Sequence, residues 1–553
     1  MSINAGAAVQ RRHIVLLVLL LAAVWFANLE VRKLVRPDEG RYAEVPREMV
    51  ATGDWVTPRQ NGLKYFEKPV LQYWTTAVAY EVFGVHHWTA RLWPALTGFL
   101  GILLVGLVGT RFWGAGAGLC GAAVAASSLL YALIGHLNTL DMGVSFLINL
   151  GLLSLMLAQR EAPNMARRNW MWLAWAALGL AVLSKGLIGA ALPAAALIVY
   201  TLWSRDWALW KRMHFWSGLV VFFAVATPWF VVVSLRNPEF FHFFFVHEHI
   251  DRFLTKAHSR LGPPWYFVPI LIAGMLPWSL LMIDACVRSL HRETSEGFQP
   301  KRFLMAWILF VFLFFSASSS KLPSYILPIF PALALLMGDY LSRIRPRVLA
   351  GHVVPVLAIG IAALFLAPRA TRLADVEVPL VLYQAYVPWL LGAAAALTAC
   401  AALALFLSIK GRTIAAVIAL AVGGLGAAQL TLTGHDNLSP ASSTYHLVEQ
   451  IRPQLRPDAP FYSISIYDQT LPFYIGRNVT LVEYTGELSF GIDTEPGSFM
   501  RTYGEFEKRW AADKFAMAIM HPGTLVYFEA HKVPHEIIAR DTRRVIVRKP
   551  SAP

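Results

Sequence analysis

Long apolar runs separated by short polar breaks fill the first 433 residues, and the pattern then changes. The first run is Ile14–Ala27. Twelve more follow near 92–110, 115–135, 142–159, 170–184, 186–203, 215–235, 266–287, 303–317, 323–341, 348–367, 385–408 and 413–433. A helix needs roughly 20 residues to cross bilayer hydrocarbon, so the pattern predicts about thirteen transmembrane helices. The first run follows Arg11-Arg12 as a signal peptide would. No small-x-small cleavage site follows it, so it reads as a retained signal anchor. Between 28 and 91, apolar residues recur at helical spacing at Tyr42, Val45 and Met49, and again at Val70, Tyr73, Trp74 and Ala77. These stretches predict amphipathic helices lying along the outer interface. From 434 onward the runs shorten. Phe461–Ile466, Val479–Glu483, Phe515–Ile519 and Val545–Val547 read as strands, with a helix around Gln469–Tyr474. The fold class is a polytopic α-helical membrane domain over 1–433 followed by a soluble α/β domain over 434–553.

Composition agrees. Hydrophobic residues make up 56% of the chain and charged residues only 15%, against roughly 25% charged in soluble domains. An ordinary cytosolic enzyme and a disordered chain are both excluded. The last 120 residues hold 13 basic and 14 acidic residues, so the net +14 belongs to the apolar part. With the N-terminus inside, the cytoplasmic segments hold 18 basic residues against four acidic ones, as the positive-inside rule requires. An odd number of spans then puts the C-terminal domain outside. The basic balance is explained by membrane topology, and no nucleic-acid partner is needed. Cys120, Cys286 and Cys400 all fall in predicted spans, which leaves core packing as their reading.

Polar residues beside spans are costly unless they serve a cavity, and here they gather on the outer face. The first outer segment carries Asp38, Glu39, Arg41 and Glu44, then Glu67-Lys68-Pro69. Asp141 opens a later span. Lys185, the group His247-Glu248-His249 with Arg252 and Arg260, and Lys321 with Tyr325 come from later outer loops. Singly, each has a plain alternative. Asp38 and Asp141 fit helix caps, the lysines fit snorkelling at span ends, and the histidines fit a hydrated loop. Their convergence on one face favours a site.

Five of these segments carry a resemblance: Asp38-Glu39-Gly40-Arg41-Tyr42-Ala43-Glu44, Glu67-Lys68-Pro69-Val70-Leu71-Gln72-Tyr73-Trp74, Asp141, Leu183-Ser184-Lys185-Gly186, and Lys321 through Pro328. In that order, and on the predicted face, they resemble the polyprenyl-phosphate-dependent glycosyltransferases with the GT-C fold. The superfamily includes the protein O-mannosyltransferases, and the lipid A aminoarabinose transferases are the nearer match. The resemblance implies an inner-membrane enzyme that moves 4-amino-4-deoxy-L-arabinose from undecaprenyl phosphate to lipid A phosphates at the outer face. It implies those two lipids as partners, and a monomer is expected.

Outward-facing motifs agree with a lipid-borne donor, because nucleotide sugars are cytosolic. Glycosyl transfer passes through an oxocarbenium-like state, and a phosphate leaving group needs cations. Lys68, Arg41, Arg252, Arg260 and Lys321, with Tyr325, are the candidates for donor binding. Lys68 precedes Pro69, so the interfacial helix is expected to start there and to offer unpaired N–H groups to the phosphate. Asp38 and Asp141 are the catalytic candidates, as a base, as orienting groups, or as a counter-charge to the sugar. Glu67, His247 and His249 are the candidate ligands for a divalent ion, zinc or manganese. No catalytic constellation is evident in the C-terminal domain. Two other classes stay open, another lipid-linked-sugar transferase and a lipid transporter or flippase.

Overall fold

The structure is a computed structural model that describes residues 15–251, 262–290, 297–484, 486–495, 497 and 499–550, without the side chains of 247–251. Every predicted apolar run carries helix. Among the described residues, eight helices are long and apolar enough to cross a membrane, nine if a bent pair counts as one span. Three shorter apolar helices, Val15–Phe26, Ala115–Ser127 and Ile188–Ser204, lie among them.

Where runs depart from straight spans, proline is the cause. The expected span over 266–287 is two helices, Phe267–Gly274 and Ser279–Ser289, set at 108°. Pro277 has no N–H to continue the ladder. A neighbour satisfies the break, since the Leu276 carbonyl accepts from Leu129 N at 3.1 Å, and the Trp278 indole anchors the bend by donating to Ser127 Oγ at 2.9 Å. Irregular backbone is tolerated at membrane depth only under such cover. Similarly, the run near 323–341 opens as a 3-10 turn, Pro323–Ile329, before the Phe330–Ser342 helix. The Pro328 carbonyl there accepts from Asn149 and Trp307, each at 2.9 Å. The spans ending the membrane part, Pro346–Leu366, Leu380–Ile409 and Thr413–His435, are apolar on all sides, and the first two expose many large side chains. Such surfaces require lipid.

The two helices of the first outer segment exist, as Asp38–Thr52 and Leu71–Phe83. They do not lie on an open interface. Tyr42, Val45, Met49, Val70, Tyr73 and Ala77 are all buried, because the C-terminal domain packs on Asp38–Thr52, and Leu71–Phe83 packs between that helix and helices of the membrane domain. Gly40 shows how closely: a Cβ there would stand 2.6 Å from the Gln469 backbone. Between the two helices runs a hairpin, β1 (Arg59–Gln60) and β2 (Leu63–Lys64).

The remaining strands all follow Thr413–His435. They are β3 (Phe461–Ile464), β4 (Thr480–Val482), β5 (Phe499–Met500), β6 (Met517–Met520), β7 (Glu536–Arg540) and β8 (Val545–Arg548), forming one sheet in the order β5-β4-β3-β6-β8-β7. The first four strands in that order pair in parallel, and β8 and β7 add antiparallel. The parallel strands β3 and β6 are buried on both faces, as α/β crossovers require. Arg543 pairs with Glu377 at 2.8 Å, and Thr542 donates to the Glu377 carbonyl at 2.7 Å. The sheet domain, the 367–379 loop and the first outer segment therefore share one end of the molecule.

Candidate functional site

Glu39 assembles the site. Its carboxylate is buried and takes two hydrogen bonds from Arg91, Nε to Oε1 at 2.7 Å and Nη2 to Oε2 at 2.8 Å. Arg91 also donates to the carbonyls of Leu29, Arg32 and Lys33, at 2.9, 2.7 and 3.0 Å. The turn that leads into Asp38 is thereby fixed. The same carboxylate accepts from Asn138 N at 3.0 Å, and Gln72 Nε2 reaches Asn138 Oδ1 at 2.9 Å. The loop ahead of Asp141 is thus fastened beside Asp38. Burial alone would raise the Glu39 pKa, but the charge and hydrogen bonds of Arg91 win and hold it down at about 2.

Around this joint the charged side chains alternate in sign. Asp141, at the start of the Leu140–Ala158 helix, hydrogen-bonds Lys185, the last residue of Met165–Lys185. The Lys185 ammonium stands 5.3 Å from the Tyr325 ring centroid and is within electrostatic range of Asp38. Asp38 lies 3.5 Å from Arg41 Nη1, and Arg41 Nη2 donates to Glu487 of the C-terminal domain. Asp38 keeps 42% of its side chain exposed and Asp141 only 13%, so the first is open to a ligand and the second is enclosed. The structure brings Asp38, Arg41, Asp141 and Tyr325 together, with Lys185 at their centre.

A group of tyrosines floors the site. The Arg41 guanidinium lies 5.9 Å from the Tyr42 ring centroid and 5.8 Å from that of Tyr65. Glu67 acts on Tyr42, Tyr65 and Tyr73. Burial pushes these phenols well above their ordinary pKa, so they stay neutral donors, and the Tyr65 and Tyr73 hydroxyls are buried without a hydrogen-bond partner. The sequence pattern assigned Tyr42 and Tyr73 to an apolar face, where periodicity does not distinguish a packed ring from a phenol turned into a pocket.

Other expectations change. Lys68 does not begin the interfacial helix. It sits in a bend with Nζ 2.8 Å from the Glu67 carbonyl, and the helix starts at Leu71. Pro69 and the αR cap at Val70 intervene. Lys321 is buried and donates to the carbonyls of Phe315, Ser316 and Ser318 at 3.2, 2.8 and 2.8 Å. An ammonium has three hydrogens, and all three close the end of the Pro300–Ala317 helix rather than face a phosphate. Arg252 and Arg260 lie outside the described residues. His247 and His249 fall in the π-helix His242–Asp251, but their side chains are not described. Among the described residues no three His, Cys, Asp or Glu side chains form a metal-binding group.

The sequence reading missed what the C-terminal domain contributes. Glu487 accepts from Gln469 Nε2 at 2.8 Å and faces Gln60 Nε2 at 3.5 Å as it meets Arg41. Arg59 pairs with Glu495 at 2.6 Å, and Phe490 stacks on Phe66 and Phe243 at 5.8 and 4.1 Å. No local signal marks Glu487, which follows a glycine in an irregular stretch.

A helical membrane body whose clustered acids and cations are capped at one end by an α/β domain is the architecture of the GT-C class. Comparison with known proteins narrows this. The family described as dolichyl-phosphate-mannose-protein mannosyltransferase matches residues 12–244, and the aminoarabinose transferase C-terminal domain matches 447–549. ArnT from Cupriavidus metallidurans, in a crystal structure bound to undecaprenyl phosphate, is 38% identical with a TM-score of 0.92, covering 98% of this chain and 99% of that one. The chain belongs to the aminoarabinose transferase family. Its relative in Erwinia tasmaniensis, an undecaprenyl phosphate-alpha-4-amino-4-deoxy-L-arabinose arabinosyl transferase, is 33% identical over 60% of this chain. That of Pseudomonas aeruginosa PAO1, of the same name, is 34% identical over 65%. The matched stretches span 59% and 66% of those two relatives.

Proposed function

We propose that the protein transfers 4-amino-4-deoxy-L-arabinose from undecaprenyl phosphate to a phosphate of lipid A, at the outer face of the inner membrane. The observation that carries this is the Asp141–Lys185–Asp38–Arg41–Glu487 constellation, set within a fold shared from end to end with a transferase solved with undecaprenyl phosphate. The bond from the sugar C1 to the donor phosphate oxygen breaks, and a bond from C1 to an acceptor phosphate oxygen forms. Undecaprenyl phosphate departs with the electron pair. The acceptor is already an anion at neutral pH, so no strong base is required. Asp38 and Asp141 then steady positive charge at the sugar and orient it, which suits an aminosugar that is itself a cation. Lys68, with Arg252 or Arg260, neutralises the departing phosphate.

The crowding of basic residues at the end opposite the C-terminal domain supports a cytoplasmic N-terminus and a periplasmic domain. Glu67, with His247 and His249, is proposed to hold zinc or manganese. Carboxylate and imidazole suit either ion, which would supply further positive charge for the phosphate when bound. The deciding experiment incubates the purified full-length protein with labelled undecaprenyl-phosphate aminoarabinose and lipid A. Label appearing in lipid A supports the reading, and label crossing the bilayer without transfer overturns it.

A further inference from the structure

Glu44 and Glu48 lie one turn apart on the Asp38–Thr52 helix, and both side chains are buried. Arg47 serves the first, with Nε and Nη2 at 2.7 and 2.6 Å from the Glu44 carboxylate. Glu48 instead meets the hairpin: its Oε2 accepts from Gly62 N at 2.8 Å, and its Oε1 has no partner. The charged and titratable groups facing it are Glu44 and Arg47 on its own helix, Arg59 on the hairpin, and Tyr467 from the C-terminal domain.

The hairpin that rests on Glu48 is the clasp for that domain. Asn61 exchanges two hydrogen bonds with Val479, Nδ2 to the carbonyl at 2.9 Å and Val479 N to Oδ1 at 2.7 Å. Gly62, at φ 76°, leaves room for Asn478, whose Nδ2 would stand 2.9 Å from a Cβ. Gln60 turns its amide to Glu487. We infer that Glu48 is a positioning residue: as the buried seat of the 59–64 hairpin, it fixes the clasp that sets Glu487 of the C-terminal domain on Arg41.

The geometry also specifies its proton. A buried carboxylate with no cation hydrogen-bonded to it is costly, and a hydrogen on Oε1 removes the charge from a site where Glu44 already holds Arg47. Burial and the charge of Glu44 push Glu48 up to about 8. When the hairpin opens, Glu48 meets water and ionises near its ordinary value of 4.5. Closing the hairpin therefore takes up a proton, and closure weakens as pH rises between those two values and then levels off.

Amide exchange of the full-length protein, corrected for the intrinsic rate, tests this on wild type, Glu48→Gln and Glu48→Ala. Protection of residues 59–64 in wild type should fall by more than about tenfold from about pH 5.5 to about pH 8. In Glu48→Gln, which keeps the acceptor and cannot ionise, it should stay level. Glu48→Ala should be poorly protected throughout, with its transfer rate down about tenfold and restored in Glu48→Gln. The same pH slope in Glu48→Gln, or a well-protected hairpin in Glu48→Ala, would overturn the inference. The rate readout rests on the proposed reaction, but exchange does not. A protein that transfers no sugar and still shows the exchange pattern supports the inference and refutes the reaction.

Discussion

Arg41 donates to Glu487 across 446 residues of sequence, joining the first outer helix to the C-terminal domain at the edge of the site. Arg41 also faces Asp38, so Glu487 decides how much of its charge Asp38 feels. Removing one partner leaves an enclosed charge unpaired. Glu487→Ala should therefore lower turnover by about tenfold or more, equivalent to ~1.4 kcal/mol, while the protein stays folded and inserted. Glu487→Gln should fall between. Steady-state transfer assays on purified variants check this, and wild-type turnover in Glu487→Ala would detach the domain from the site.

Asp38→Asn and Asp141→Asn preserve size and remove charge. Each should lower transfer by ~100-fold or more, with unchanged expression and, for the exposed Asp38, an unchanged thermal midpoint. Asp141→Asn additionally frees Lys185 from its partner, so Lys185→Met in that background should add little further loss. Near-normal turnover in either single variant would remove that aspartate from the chemistry.

Glu39 gives an acid dependence with a definite sign. Its folded-state pKa of about 2 lies below the ordinary 4.5. Its contribution is thus complete above about pH 4.5 and is lost as pH falls from there toward 2, a change of about 3 kcal/mol. Thermal unfolding in detergent between pH 7 and pH 3 should show wild type losing stability toward acid. Glu39→Gln should be less stable at pH 7 and flatter over that range. Parallel curves for the two proteins would contradict the assignment.

Topology is open to thiol labelling in a background without Cys120, Cys286 and Cys400. A cysteine at Val376, which is 85% exposed in the loop tied to Arg543, should react with an impermeant reagent from the periplasmic side. One at Ala162 should not. Reversed labelling would invert the orientation.

Exhaustive chelation should reduce transfer, and zinc or manganese should restore it in wild type but not in Glu67→Ala. Full activity after chelation would make the metal dispensable.

Much of the protein was legible in one dimension. The apolar runs located the helices because solvent choice in a bilayer is made residue by residue, and a long run admits only one backbone solution there. Strands β3, β4, β6 and β8 were equally plain, being short and continuously apolar. The edge strands β5 and β7 were not, since Phe499–Met500 is only two residues long and Glu536–Arg540 is mostly exposed. Proline at 277 was visible, but the 108° bend depended on Leu129 N being at hand to donate to the Leu276 carbonyl, with Ser127 holding the Trp278 indole.

At the site the division is sharper. Charge type and outer-face placement marked Asp38, Arg41, Asp141 and Tyr325 from the sequence alone. Which cations serve chemistry and which serve structure was settled only by packing: Lys185 reached Asp141, while Lys321 turned back on three carbonyls of its own helix end. Glu487 and Gln469 had no signal at all. A side chain's partner is fixed by how domains dock, and docking depends on contacts such as Gly40 against Gln469 and Asn61 against Val479 that no local pattern encodes. The sequence determined the solvent of each segment and the stock of charges at the outer face, because hydropathy and charge are properties of single residues. Only the tertiary structure decided which of those charges meet, because pairing is a property of distances between segments hundreds of residues apart.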